Sequence, residues 1–129
     1  MRYLSPEWID AAQRALAADP ALPEALAGVT LTVEQAVDGV TAGAARWHIT
    51  IGGGRVALAP GPAEQADLRF TTTYETAAQI ATGRLAAQRA FVEGRLRVGG
   101  DLALLLTHQR AVAAVDDALA DVRARTTYE

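Results

Sequence analysis

The sequence lacks cysteine and lysine altogether. Without cysteine, the chain has no disulfide, no thiolate ligand for a metal and no cysteine nucleophile. The missing lysines accompany an excess of alanine, and we attach no functional meaning to either. The formal net charge of −3 argues against a general nucleic-acid binder, because such proteins present a basic stripe to the phosphate backbone.

Long apolar runs are also missing. No segment approaches the ~18 consecutive apolar residues of a membrane span, and the first residues show no signal-peptide pattern. We therefore expect a cytoplasmic protein with no stable membrane insertion. The 129 residues fit a single domain, 1–129. Apolar residues make up 50% of the chain, but many are alanine, so the domain either packs closely or leaves space inside.

A helical pattern gives way to strand patterns along the chain. Ser5, Pro6 and Glu7 combine a hydroxyl cap, an early proline and an acid, and they predict a helix over 5–18. From Val29 onward, apolar and polar residues alternate, which indicates a half-buried strand. Further alternating segments follow at 46–51, 55–59, 67–71 and 95–98.

Each predicted strand places its large apolar side chains on one side only. This pattern predicts a mainly antiparallel sheet with one wet face and one face covered by helices. Acids such as Glu34 and Asp67 are expected to pair with arginines across the wet face. Glycine-containing turns at 38–43 and 52–54 are expected to join the first three strands.

Helices are predicted after the fourth and fifth strands. Thr72 and Glu75 form a capping-box pattern for a helix that ends at Gly83, and a second short helix ends before Gly94. Asp101 is placed to cap one long final helix, and the tail 126–129 is expected to fray. The final helix carries an apolar stripe of Leu104, Leu105, His108, Ala111, Val112, Val115, Leu119 and Val122.

Two short motifs point to a known family. Residues 66–70 precede a capped helix that closes at Gly83, and the run 91–101 then follows, from Phe91 through Gly94 to Gly100 and Asp101. This order resembles the sterol carrier protein family, the sterol-binding domain of sterol carrier protein type two. The resemblance covers roughly residues 25–122 in element order and mainly 66–101 in motifs.

The resemblance implies an α+β fold in which a five-stranded, mainly antiparallel sheet has one face covered by helices. It also implies a hydrophobic tunnel between the layers over the segment 29–122, which holds a sterol, a fatty-acyl chain or a similar lipid. The family supplies no catalytic residues, no metal site and no cofactor. The side chains that we expect to contact the ligand are Trp47, Leu68, Phe70, Ile80, Leu85, Phe91, Leu96, Val98, Leu105, His108 and Val112.

His108 is the one polar member of that set. A histidine within an apolar stripe is more often a hydrogen-bonded structural residue, but it also suits the single polar contact that an apolar pocket needs for a ligand headgroup. Two alternatives to a lipid binder stay open. One is an accessory subunit that binds a partner enzyme or a second copy through an apolar groove. The other is a small isomerase or cyclase that uses His108.

Overall fold

The computed structural model describes residues 1–39 and 46–128, so residues 40–43 of the predicted turn lie outside the described residues. It has an α+β fold, as expected. The strands are β1 (Leu31–Asp38), β2 (Arg46–Gly52), β3 (Arg55–Pro60), β4 (Leu68–Thr73) and β5 (Leu96–Gly100). The helices are α1 (Pro6–Ala18), α2 (Leu22–Ala25), α3 (Tyr74–Ala81), α4 (Ala87–Val92), α5 (Leu102–Thr107), α6 (Gln109–Ala118) and α7 (Ala120–Ala124).

The five strands form one sheet in the order β3-β2-β1-β4-β5. The pairs β1–β2, β2–β3 and β4–β5 are antiparallel, which confirms the mainly antiparallel sheet. β1 and β4 are parallel, with Val33 opposite Leu68. The parallel pair arises because the chain leaves the edge strand β3 and crosses β2 and β1 before it enters β4.

The segment that makes this crossing, residues 61–67, lies against the polar face of the sheet. The Asp67 N–H donates to the Thr32 carbonyl at 2.9 Å, and the Asp67 carboxylate accepts the Thr32 N–H at 2.8 Å. Asp67 therefore does not pair with an arginine as expected. The crossing segment also covers Glu34, which is only 2% exposed. The expectation of a wholly wet face is wrong, because a crossover between distant strands has to pass over it.

Glu34 is fully hydrogen-bonded under this segment. Its Oε1 accepts the Ala63 N–H at 2.9 Å, and its Oε2 accepts from Arg69 Nε at 2.7 Å. Arg69 lies directly opposite on β4, so the expected acid–arginine pair is confirmed here. Burial raises the pKa of the Glu34 carboxyl, but the hydrogen bonds from Arg69 and Ala63 outweigh it and lower this pKa below its usual value.

This lowered pKa predicts a pH dependence of stability. A carboxyl with a lower pKa in the folded state stabilises the fold above its unfolded-state pKa, and that contribution is lost as the pH falls through the folded-state pKa. We expect the free energy of unfolding to decrease below about pH 4. Glu34→Gln should lower it by about 1–2 kcal/mol at neutral pH and weaken the acid dependence.

Urea titrations at neutral and acid pH test this prediction on the wild type and on Glu34→Gln. Glu64→Gln is the matched control, since Glu64 lies on the same crossing segment but is exposed. An acid dependence that is the same in the wild type and in Glu34→Gln would contradict the role given to Glu34.

Helices seal the half of the sheet formed by β2 and β3. α1 packs on β3, while α6 and α7 pack against α1. Ile49, Ile51 and Leu58 are consequently 7%, 2% and 0% exposed. Trp8 of α1 lies edge-to-face against Trp47 of β2, with ring centroids 5.6 Å apart. This half is a filled core with no room for a ligand.

The helix starts follow the predicted chemistry, with one shift. Ser5 caps α1 as predicted. The predicted cap at Thr72 is wrong by one residue: the hydroxyl of Thr73 caps α3 and accepts the Thr76 N–H at 3.2 Å. Thr72 belongs to β4, and its hydroxyl is committed to the Arg95 carbonyl at 2.9 Å. Either threonine could cap the helix by its side-chain chemistry. Thr73 does so because Thr72 is paired with Leu96 and remains in β4.

The predicted single final helix is divided at His108 and Leu119. Asp101 caps α5 as predicted by accepting the Ala103 N–H at 3.1 Å. His108 has φ −109° and ψ 27°, so α5 ends at Thr107 and α6 begins at Gln109, and the bond from the His108 N–H to the Leu104 carbonyl at 2.9 Å spans the kink between them. The packing partner changes at this kink, because α5 packs on β4 whereas α6 packs on α2 and α1.

The chain ends are tied together. The Tyr3 N–H donates to the Thr127 carbonyl at 3.1 Å, and the Thr127 N–H donates to the Met1 carbonyl at 2.7 Å. The ring of Tyr128 packs against Tyr3, with centroids 5.2 Å apart. The expectation of a frayed tail is therefore wrong up to Tyr128, because contacts between distant parts of the chain hold it.

Candidate ligand-binding site

The half of the sheet formed by β4 and β5 is less well covered. Phe70, Leu96 and Val98 lie on the covered face but stay partly exposed. α3 and α5 each pack on β4, and α4 packs on β5. α3 and α5, both wholly within the described residues, do not pack extensively on each other. The helix layer is therefore open above this half of the sheet.

One row of side chains runs from the edge of the sheet to its centre. Val98 of β5 lies opposite Phe70 of β4, and Phe70 lies opposite Gln35 of β1. All three are on the covered face, and all three are partly exposed. The row stops at Trp47, which lies opposite Gln35 and is 6% exposed. We call Val98, Phe70 and Gln35 the open row.

The neighbouring rows are closed. In one of them, Leu96 is partly exposed, but Thr72 and Val37 beside it are 7% and 1% exposed. In the other, Leu68 and Val33 are 0% and 8% exposed. With strands ~4.8 Å apart, the open row reaches about 10 Å inward from the edge strand. It has the form of a narrow apolar floor that ends on the central strand.

Exposed apolar side chains also lie on α4 and α5, the helices that pack on β5 and β4. Phe91 and Val92 of α4 are 49% and 83% exposed, and Leu102 and Leu106 of α5 are 45% and 69% exposed. Large apolar side chains that stay exposed indicate an interaction surface where they are contiguous. They lie on the two helices that flank the open part of the sheet.

The structure divides the eleven predicted contact residues into three groups. Trp47 and Leu68 lie in the sealed core, and Phe91 is exposed. The partly buried residues are Phe70, Ile80, Leu85, Leu96, Val98, Leu105, His108 and Val112. Of these, Phe70, Leu96 and Val98 are brought together on the floor. Phe70, Leu105 and Val112 also pack against the core. Contact of these residues with a ligand stays a prediction.

His108 is partly buried at the junction of α5 and α6. By helical spacing it lies on the side of Leu104 and Val112. Its ring makes no hydrogen bond or ion pair with any residue in the described ranges, so the structural interpretation of this histidine gains no support. Nor do the described residues contain a group of three or more His, Cys, Asp or Glu side chains arranged to hold a metal.

Gln35 is the site residue that the sequence interpretation missed. The alternation of Leu31 and Val33 on the covered side continues to Val37, and it places a glutamine among apolar neighbours. That signal was present in the sequence, as a polar residue at an inward position of a strand. Gln35 can be recognised as a candidate site residue only from the strand register, which places it at the inner end of the open row.

Two hollows lie elsewhere on the described surface. One, of about 770 Å³, lies at the ends of β1 and β4 beside α3 and is lined in part by Asp38, Glu75 and Arg84. The other, of about 690 Å³, lies on the polar sheet face and is lined by Thr32, His48, Thr50, Ala63, Glu64 and Gln65. The polar lining of the second makes it unsuitable for an apolar molecule, whereas the first combines charged residues with the apolar surface of Tyr74, Ala78 and Tyr128.

Comparison with known proteins identifies the family. The family model described as the SCP-2 sterol transfer family matches residues 10–113. None of the curated proteins matches the chain. Within residues 1–39 and 46–128, no helix has the length and apolar character to cross a membrane.

Solved structures share the fold. A conserved hypothetical protein from Thermus thermophilus is 22% identical over 95% of this chain and 90% of its own, with a TM-score of 0.71. A sterol carrier protein 2 is 20% identical over 92% of this chain and 98% of its own, with a TM-score of 0.71. The sec-alkylsulfatase Pisa1 from Pseudomonas sp. is 20% identical over 67% of this chain but only 13% of its own, with a TM-score of 0.53.

The family match extends over most of the chain and includes every strand of the sheet. It confirms the resemblance to the sterol carrier proteins, and with it the expected function, which is to bind or transfer an apolar lipid molecule. The chain belongs to the SCP-2 sterol transfer family.

Proposed function

We propose that the protein binds a lipid, sterol or fatty-acyl molecule along the open row and sequesters or transfers it without catalysing a reaction. The observation that carries this proposal is the continuous partial exposure of Val98, Phe70 and Gln35 across three strands, between two closed rows. The residues 1–129 would act as one domain, with α3, α4 and α5 as the walls of the site.

The size of this floor is compatible with useful affinity. A micromolar Kd corresponds to about 8 kcal/mol. At roughly 25 cal/mol per Å², the removal of about 330 Å² of ligand apolar surface from water supplies this amount before the entropy losses of binding. An acyl chain along the open row, enclosed by α3, α4 and α5, would have to bury somewhat more apolar surface than this area, because the entropy losses of binding also have to be offset.

The isomerase or cyclase alternative gains little support from the site. Such an enzyme needs an acid or a base aimed at its substrate. The covered-face positions of the described strands hold no Asp, Glu, Arg or His, and α5 has no charged residue. His108 is the candidate base, but no carboxylate or carbonyl among the described residues bonds to its ring to orient it.

The accessory-subunit alternative is favoured by one specific observation, the exposed apolar side chains Phe91, Val92, Leu102 and Leu106. A partner enzyme or a second copy of the chain could cover them. The fold also occurs within a larger enzyme, since the similar region is 13% of the Pseudomonas sec-alkylsulfatase. The two functions are compatible, because a partner at the mouth of the site would receive or supply the ligand.

Titration of the delipidated protein with the fluorescent fatty acid cis-parinaric acid tests the proposed function. We expect saturable binding of one molecule per chain with micromolar Kd, and displacement by unlabelled lipids. Amide NMR shifts should change in β4, β5 and α3–α5 and stay unchanged in β3 and α1. Absence of saturable binding, or shifts confined to the sealed half, would overturn the proposal.

A further inference from the structure

Gln35 occupies an unusual position for an amide. It lies on the central strand of the five, on the face covered by helices, with Trp47 opposite on one side and Phe70 on the other. On the same face of its own strand, Val33 and Val37 are 8% and 1% exposed. The Gln35 side chain stays partly exposed and makes no hydrogen bond with any residue in the described ranges.

An unpaired amide in this place does not stabilise the fold. The partly exposed amide forms no hydrogen bond with the described residues that would hold the fold together, whereas an apolar side chain of the same size would bury more apolar surface at this position. The other polar residue on the covered face of the described strands, Thr72, is committed to the Arg95 carbonyl. Gln35 is therefore the uncommitted polar group on this face.

A second unpaired group lies beside it. The Trp47 Nε1–H is buried and has no hydrogen-bond partner among the described residues. Trp47 and Gln35 are directly opposite each other on antiparallel strands, so their Cβ atoms are about 5 Å apart. An indole N–H and an amide, both without partners among the described residues, thus lie on neighbouring strands at the inner end of the open row.

The distribution of charged residues around the open row also indicates which ligand headgroup the site can hold. The covered faces of the described strands and all of α5 are uncharged. α3 has one charged residue, Glu75, which is exposed. Arg95, just before β5, already bonds to the Gln79 side chain and lies 3.7 Å from the Glu93 carboxylate. The covered faces of the described strands and α5 thus hold no cation to balance a buried carboxylate or phosphate, and the arginines beside the α3 and α4 walls, Arg84 and Arg89, are exposed.

We infer that Gln35 is the polar anchor of the site and that the preferred ligand carries an uncharged oxygen, a hydroxyl or a carbonyl, at its deeper end. The amide donates to that oxygen or accepts from its hydroxyl. The inference deepens the proposed function and rests on it, because the open row must first hold a ligand. It assigns selectivity for neutral over ionised lipids to one residue.

Competition against cis-parinaric acid tests the inference with three unlabelled lipids of equal chain length: hexadecanol, methyl palmitate and palmitate. The wild type should bind the two neutral lipids more tightly than the ionised acid. Gln35→Leu should lose about tenfold in affinity for hexadecanol, the equivalent of one hydrogen bond of about 1.4 kcal/mol. The Kd of the probe itself is measured for each variant, and the thermal stability should be unchanged or higher.

Gln65→Leu is the matched control, since Gln65 is exposed on the crossing segment of the opposite sheet face, and it should bind as the wild type does. Gln35→Met repeats the test with an unbranched side chain. Tighter binding of palmitate by the wild type, or unchanged hexadecanol affinity in both Gln35 variants, would overturn the inference while leaving the proposed function intact. Failure of the wild type to bind the probe would instead overturn the proposed function.

Discussion

Gly100→Ala is expected to destabilise the protein by about 3 kcal/mol or more, enough to unfold a marginally stable domain. A Cβ at this position would lie 2.2 Å from the Asp67 carbonyl oxygen and 3.2 Å from the Leu68 Cα. Both are backbone atoms at the hydrogen-bonded start of β4, so neither can move aside without disrupting the sheet. Gly100 also has φ +96°, a conformation that residues with a side chain rarely adopt.

Gly99→Ala is the matched control for this prediction. Its Cβ would lie 3.9 Å from the Arg69 carbonyl oxygen, an ordinary contact, and its φ is not positive. We expect its unfolding midpoint in urea to lie close to that of the wild type. Similar destabilisation by the two substitutions would show that the close approach of the backbone at Gly100 does not cause the loss of stability.

The close approach at Gly100 explains why the family motifs are informative. Asp67 belongs to the first motif, and Gly100 and Asp101 belong to the second. The structure brings the two motifs into contact, since the Asp101 N–H donates to the Asp67 carbonyl at 3.1 Å. These residues therefore fix the junction of β4, β5 and α5. They are structural, which is why they identify the fold and say little about the ligand.

Local patterns in the sequence were sufficient to predict the strands and most helix starts. Alternation placed Ile49, Ile51 and Leu58 on the covered face, and Ser5 and Asp101 capped their helices as expected. Those features depend on neighbours within a few residues. Burial by distant segments was not predictable in the same way. Glu34 is buried because residues 61–67 cross over it, and nothing in its own strand indicates this.

The site was only partly predictable for a related reason. Phe70, Leu96 and Val98 were found because apolar residues alternate along single strands. Gln35 could be placed in the site only from the pairing of β1 with β4, which lies more than thirty residues further along the chain. Trp47 and Leu68, which have the same local pattern as Val98, are buried, Trp47 against Trp8 of α1 and Leu68 on a strand against which α3 and α5 pack. The open and sealed halves of the sheet differ in their helices and not in their strands.

Val98→Trp is expected to reduce the affinity for cis-parinaric acid by at least about tenfold with little loss of stability. Val98 lies on the edge strand at the outer end of the open row and is partly exposed, so an indole there would occupy the floor without displacing core residues. The lost affinity reflects ligand surface that stays in water, since about 55 Å² of unburied apolar surface corresponds to a tenfold change. Fluorescence titration measures the affinity, and thermal unfolding measures the stability.

Arg97→Trp is the matched control for Val98→Trp. Arg97 is the preceding residue on β5, and it is exposed on the opposite face of the sheet, so the same indole there should leave affinity unchanged. Because the two substitutions introduce the same ring on the same strand, a difference between them depends mainly on which face carries it. Equal affinity in the two variants would place the ligand away from the open row. A selective loss in Val98→Trp would locate the ligand between the uncovered half of the sheet and the helices α3, α4 and α5.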